Sequence, residues 1–89
     1  MTTIECHGDL GPLDALALRR DLDRATAEQR PHVLLDLSGV ESLHPAVVAA
    51  IVRASRRARR SAGTLRLVAP TADRAERMLG LVTLPHLLS

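Results

Sequence analysis

The hydrophobic residues of this chain fall into short runs that alternate with longer stretches where they recur every three or four positions, the spacings of strands and helices respectively. "TIECHG", Thr3 to Gly8, alternates in character and ends in glycine, and so predicts a short strand suited to a sheet edge. After the Gly11-Pro12 break, Ala15, Leu18, Leu22 and Ala25 predict a helix over Leu13 to Glu28, stopped by Pro31. "HVLLDL", His32 to Leu37, is a continuous apolar run and predicts a central strand buried on both faces. From Pro45 to Ala62 a second helix is predicted. It places Val47, Val48, Ile51, Ala54, Ser55 and Ala58 on one side and Arg53, Arg56, Arg57 and Arg60 on the other, with Gly63 as a left-handed C-terminal cap. "TLRLVAP", Thr64 to Pro70, predicts another buried strand. Thr71 is placed to cap a short helix, "ADRAERML", whose apolar side is Ala75, Met78 and Leu79; Gly80 then breaks it. The remaining "LVTLPHLLS" leaves room for one short strand near His86 to Leu88.

Strands alternating with helices through short connections imply βαβ units, right-handed crossovers and a mostly parallel or mixed sheet of about four strands with three helices. The fold class is α/β, in one domain over residues 1–89. The chain lacks Phe, Tyr and Trp, so its core is aliphatic and it has none of the stacking platforms on which most single-strand and RNA recognition depends. Net charge is +2 and every cation is arginine, a pattern better explained by biased codon usage than by a selected binding surface, so nucleic acid is not the expected partner. Cys6 is the only cysteine, so no internal disulfide is expected and a reducing compartment is. Neither a signal peptide nor an apolar run of the ~18 residues needed to cross a bilayer is visible, so a cytoplasmic protein without direct membrane insertion is expected.

The junction "GVESLHPAVVAAIVRA" draws attention because its helix starts with no serine, threonine, aspartate or glycine where a side chain ordinarily receives the free N–H groups. Pro45 suits the first helical position, where it loses no hydrogen bond, and it holds His44 extended before it. The functional alternative is a helix N-terminus facing a partner or an anion, with His44 as a donor that strengthens on protonation. His7, His32, His44 and His86, with Cys6, show no helical ligand spacing, so no metal and no cofactor are expected. Asp36 is expected to accept hydrogen bonds from the turn "SGV" rather than to do chemistry. Without a nucleophile elbow, a phosphate loop or a catalytic pair, the chain is expected not to be an enzyme. The arginine face reads as solvated surface, whereas Ala46, Ala49 and Val52 form a small apolar patch beside His44 that suits close approach by another protein.

Taken in order, "GDL" before the first helix, "HVLLDLSGVESL", "AGTLRLVAP" and "RAERMLGLVTLPHLL" resemble the STAS domains typified by bacterial anti-sigma factor antagonists. That family commonly carries D-S-[ST]-G-L at the strand-to-helix junction, and an anti-sigma kinase phosphorylates its first hydroxyl. The matching stretch here is His44-Pro45-Ala46-Val47-Val48, so the resemblance implies a phosphosite whose acceptor, at Pro45, has been lost. Gly11 also departs from the family, whose members often have aspartate there. Against the family the chain looks short at both ends, which would expose a sheet edge and favour a homodimer or pairing with a partner.

The expectation is therefore a non-enzymatic regulatory interaction module in transcription regulation, resembling an anti-sigma factor antagonist but not switched by phosphorylation. It would bind a protein partner such as an anti-sigma factor kinase through His44, Pro45, Ala46, Val47, Val48, Ala49 and Val52. The rival readings are a STAS subunit associated with an ABC-type transport ATPase and a nucleotide-binding protein.

Overall fold

In a computed structural model that describes residues 1–81, each strand is followed by a helix: β1 (Thr2–Leu10), α1 (Pro12–Ala25), β2 (His32–Leu43), α2 (Pro45–Arg60), β3 (Thr64–Val68) and α3 (Asp73–Leu81). The strands lie side by side in the order β1-β2-β3, and both pairings are parallel. The α/β class and the three helices stand as expected, with three strands among the described residues rather than about four; the strand expected near His86 to Leu88 lies outside them. β1 forms one edge of the sheet and is longer than the expected Thr3 to Gly8 segment.

The covering of the sheet differs from the sequence expectation. Along β2, Val33, Leu35, Leu37, Val40 and Leu43 are buried, while Leu34 and Asp36 are only half-buried and His32, Ser38 and Gly39 are exposed. The strand is therefore buried on one face, not two: α1 and α2 pack against each other over the covered face. β2 also runs on past Leu37 to Leu43, paired with β1 up to Leu10 through two shifts of register. Gly8, at one shift, has φ +72°, a value only glycine adopts cheaply. Across the other, the His7 ring lies so close over Gly39 that a Cβ there would come within 2.6 Å of Nδ1.

α1 starts as its sequence requires. Gly11 takes an extended conformation, Pro12 fills the first helical position, and the Asp14 carboxylate accepts the Gly11 N–H at 2.8 Å. The helix ends at Ala25, one turn earlier than the expected Glu28, where the buried Thr26 donates its hydroxyl to the Leu22 carbonyl at 2.8 Å. Pro31 is therefore not what stops it.

α2 ends in a Schellman motif: Gly63 N–H donates to Ala58 O at 2.8 Å and Ala62 N–H to Arg59 O at 3.0 Å. The left-handed residue is Ala62, with φ 57°, and not Gly63 as expected. Gly63 is needed for another reason, since a Cβ on it would lie 2.0 Å from the Pro31 carbonyl oxygen. That oxygen also accepts the Thr64 N–H at 2.7 Å, tying the starts of β2 and β3 together.

α3 packs against β2 and touches α2, burying Ala75 and Leu79 and half-burying Met78. Thr71 does not cap it: its hydroxyl donates to the Ser38 carbonyl at 3.4 Å, and the helix runs through Gly80. The core is wholly aliphatic, with Leu22, Leu35, Leu37, Ile51, Leu67, Val40 and Val47 essentially without solvent contact. Among the described residues, no helix is long and apolar enough to cross a membrane.

Candidate functional site

The three described strands are parallel, so the helices that follow β1 and β2 both begin at the carboxyl end of the sheet. The two starts are joined directly: His44 N–H donates to the Leu10 carbonyl at 2.9 Å. His44 is extended, with φ −71° and ψ 145°, as the residue before a proline must be, and Pro45 occupies the first helical position.

The missing cap of α2 is supplied by the imidazole. His44 Nδ1 accepts the Ala46 N–H at 3.0 Å, satisfying one of the donors that a serine or aspartate ordinarily would. Nδ1 therefore serves the helix rather than a ligand, and the ring carries its hydrogen on Nε2. This occupies Nδ1 and leaves only Nε2 of the exposed ring to face outward, and it explains how the helix starts without a hydroxyl or carboxylate. His44→Ala is expected to destabilise the fold by about 1 kcal/mol in urea unfolding, whereas His44→Asp keeps an acceptor, adds favourable charge at the helix N-terminus and should match or exceed the parent. Equal stability of the alanine variant and the parent would exclude the capping role.

His44, Pro45, Ala46 and Ala49 are exposed and Val52 is half-buried. Val47 and Val48 are 0% and 3% exposed, so as partner-contacting side chains they are corrected: the helical period turns them to the core. Val48 still forms part of the floor of an open groove of about 390 Å³ between α2 and α3, bounded by Pro45, Ala49, Val52, Arg53, Arg56 and Met78. The structure thus brings together Pro45, Ala49 and Val52 from the sequence reading and adds Met78 and two arginines. Met78 was visible only as an apolar position of α3; its place in the groove depends on how α3 docks, which no local spacing reports. Two further exposed apolar residues, Leu13 and Leu16 on the outer side of α1, are 81% and 63% exposed and went unremarked because they fall off that helix's buried stripe.

Charge around the groove is uneven. Asp23 of α1 accepts a hydrogen bond from Arg57 at 3.2 Å and lies 3.8 Å from Arg53, so it offsets part of the positive charge on the side of α2 that faces α1. No carboxylate lies within 4.0 Å of Arg56, Arg59 or Arg60 among the described residues.

The other candidate groups are accounted for locally. Asp36 accepts the Ser38 N–H at 2.9 Å, and its hydrogen bonds to Ser38 hold its carboxyl below the ordinary carboxylate range. This is the turn-accepting role expected of it. Burial first, and then the charges of Asp21, Asp14 and Asp36, push the Cys6 thiol up, which makes it a poor nucleophile. Ser42, the hydroxyl nearest in sequence to the junction, donates to Asp9 at 2.6 Å. Among the described residues, no group of three or more His, Cys, Asp or Glu side chains is placed to hold a metal ion.

No curated protein matches this chain. The family described as "Mlab, STAS domain" matches it over residues 1–89. A small α/β domain whose middle helix starts at the carboxyl end of a parallel sheet, with a match spanning every residue of the sequence, places this chain in the STAS domain family.

Proposed function

We propose that this STAS domain is a non-enzymatic regulatory module that docks on a protein partner, in the manner of an anti-sigma factor antagonist, through the start of α2 and the groove beside it. The supporting observation is the junction itself. Pro45 stands exposed where the family pattern has its phosphoacceptor hydroxyl, on the rim of an apolar groove. A phosphate there would bring nearly two negative charges to the docking surface, and proline cannot accept one. Docking is therefore constitutive at this position, or controlled elsewhere.

The contact surface we infer is His44, Pro45, Ala46, Ala49 and Val52, with Met78 and the buried Val48 closing the groove. Side chains as small as Ala46 and Ala49 let a partner backbone approach closely, and the half-buried Val52 and Met78 supply apolar area for a partner to remove from water. The first partner class is an anti-sigma factor kinase. A subunit role beside an ABC-type transport ATPase is the second, favoured by the same absence of an acceptor, since such a subunit grips its partner without a switch. Nucleotide binding is the weakest reading: strand order β1-β2-β3 never reverses, so the described sheet lacks the crevice at which open α/β sheets bind nucleotides.

Ala49→Arg is the direct test, because the position is exposed and the substitution leaves the core untouched. Binding to a candidate kinase or ATPase subunit encoded nearby should weaken at least tenfold without change in unfolding midpoint. Undiminished binding would exclude the surface. Incubation with the kinase and ATP should leave residues 44–48 free of phosphate, and phosphate found there would overturn the lost-switch reading.

A further inference from the structure

A second concavity on α2, of about 410 Å³, is lined among the described residues by four arginines: Arg53, Arg56, Arg57 and Arg60. It shares Arg53 and Arg56 with the apolar groove, so the two form one continuous track along the helix, apolar at the N-terminal end and cationic beyond Val52. Within this set Arg53/Arg57 and Arg56/Arg60 are i,i+4 neighbours of like charge, a spacing that destabilises a helix on its own. Asp23 relieves the first pair. The second pair is exposed and has no carboxylate within 4.0 Å among the described residues. The helix dipole accounts for basic residues in the last turn, Arg57, Arg59 and Arg60, but its effect does not extend back to Arg53 and Arg56.

We infer that the element of the partner seated on α2 is an amphipathic, acidic protein segment, which lays apolar side chains between Pro45, Ala49, Val52 and Met78 and sets carboxylates against Arg56 and Arg60. This rests on the docking reading above and adds the chemistry of the occupant. A protein segment fits better than a nucleic acid, because half of the track is apolar and the chain has no aromatic side chain on which a base would stack. Carboxylates suit the site because guanidinium forks pair with them in defined geometry and lose little hydration in doing so.

The test uses the full chain in cells that carry it, with a photo-crosslinking benzoylphenylalanine in place of Ala49 or of Arg56, followed by sequencing of the crosslinked peptides. The expected result is one protein segment reached from both positions, with apolar residues at the Ala49 crosslink and Asp or Glu within one helical turn of the Arg56 crosslink. The double variant Arg56→Glu/Arg60→Glu should cut crosslinking from position 49 at least tenfold, and Arg74→Glu/Arg77→Glu on α3 should not. With the purified partner, the loss should reside mainly in the association rate and shrink as salt rises. Capture of a protein alone is not support. A neutral or basic segment opposite Arg56, unchanged capture by the double variant, or a nucleic-acid or lipid adduct at position 56 would overturn the inference while crosslinking from position 49 upholds docking. Absence of any protein crosslink from position 49 sinks docking, and the inference with it.

Discussion

Gly63→Ala is expected to cost about 3 kcal/mol or more, because the added methyl overpacks a backbone contact that no rotamer can relieve. Its Cβ would stand 2.0 Å from the Pro31 carbonyl oxygen, 2.5 Å from Pro31 Cδ and 2.6 Å from Pro31 N, and Pro31 is itself buried. Moving Pro31 aside would break the bond from Thr64 N–H to Pro31 O that sets β3 beside β2. A domain of this size has about 4–13 kcal/mol of total stability, so this one methyl group removes a large fraction of it. The residue before it should respond in the opposite direction. Ala62 is held at φ 57° as the left-handed residue of the Schellman motif, where an L side chain is strained, so Ala62→Gly should stabilise by about 1 kcal/mol. Urea unfolding of the two variants checks both signs. Gly63→Ala within 1 kcal/mol of the parent would mean that Pro31 and Gly63 do not approach as described.

Why Gly63 is needed shows where sequence reading ran short. Glycine after an amphipathic helix is the usual sign of a left-handed cap, and the cap is present, but shifted by one residue. The true constraint on Gly63 is a contact with Pro31, more than thirty positions away, and no local pattern carries it. The same holds for β2. "HVLLDL" is apolar enough for burial on both faces, yet both crossovers place their helices on one face and leave Leu34 half-buried on the other. Hydrophobicity told which segment is central; only the strand order tells how many faces are covered.

Elements whose cause is local were legible. Pro45 at the first position of α2, the inward stripe Val47, Ile51, Ala54 and Ala58, and the apolar side of α3 all follow from spacing and from the chemistry of proline. The candidate site was legible in part. Exposure of Ala46 and Ala49 follows from the same period, but a contiguous motif is not a surface: a helix turns successive residues about 100° apart, which buries the side chains of Val47 and Val48. The imidazole cap was missed because histidine is not among the residues that ordinarily cap helices, even though its neutral ring has an acceptor nitrogen at the required reach.

Ile51→Ala and Val52→Ala, adjacent in sequence, should separate the two faces of α2. Ile51 is 0% exposed within the aliphatic core, so its truncation leaves a cavity and should cost about 3 kcal/mol, visible as a lower urea midpoint with little change in slope. Val52 is half-buried at the groove, and its truncation should cost less than about 1 kcal/mol because it removes less buried area and leaves no closed void. Partner affinity should reverse the order. Measured well below the unfolding transition, where Ile51→Ala is still folded, Ile51→Ala should bind nearly as the parent does, whereas Val52→Ala removes apolar surface from the docking groove and should bind several-fold more weakly. The opposite assignment, with Val52→Ala as destabilising as Ile51→Ala, would mean that α2 is rotated by about one residue from its described orientation. The docking face would then rotate with it, away from Pro45, Ala49 and Met78, because one helical period fixes both.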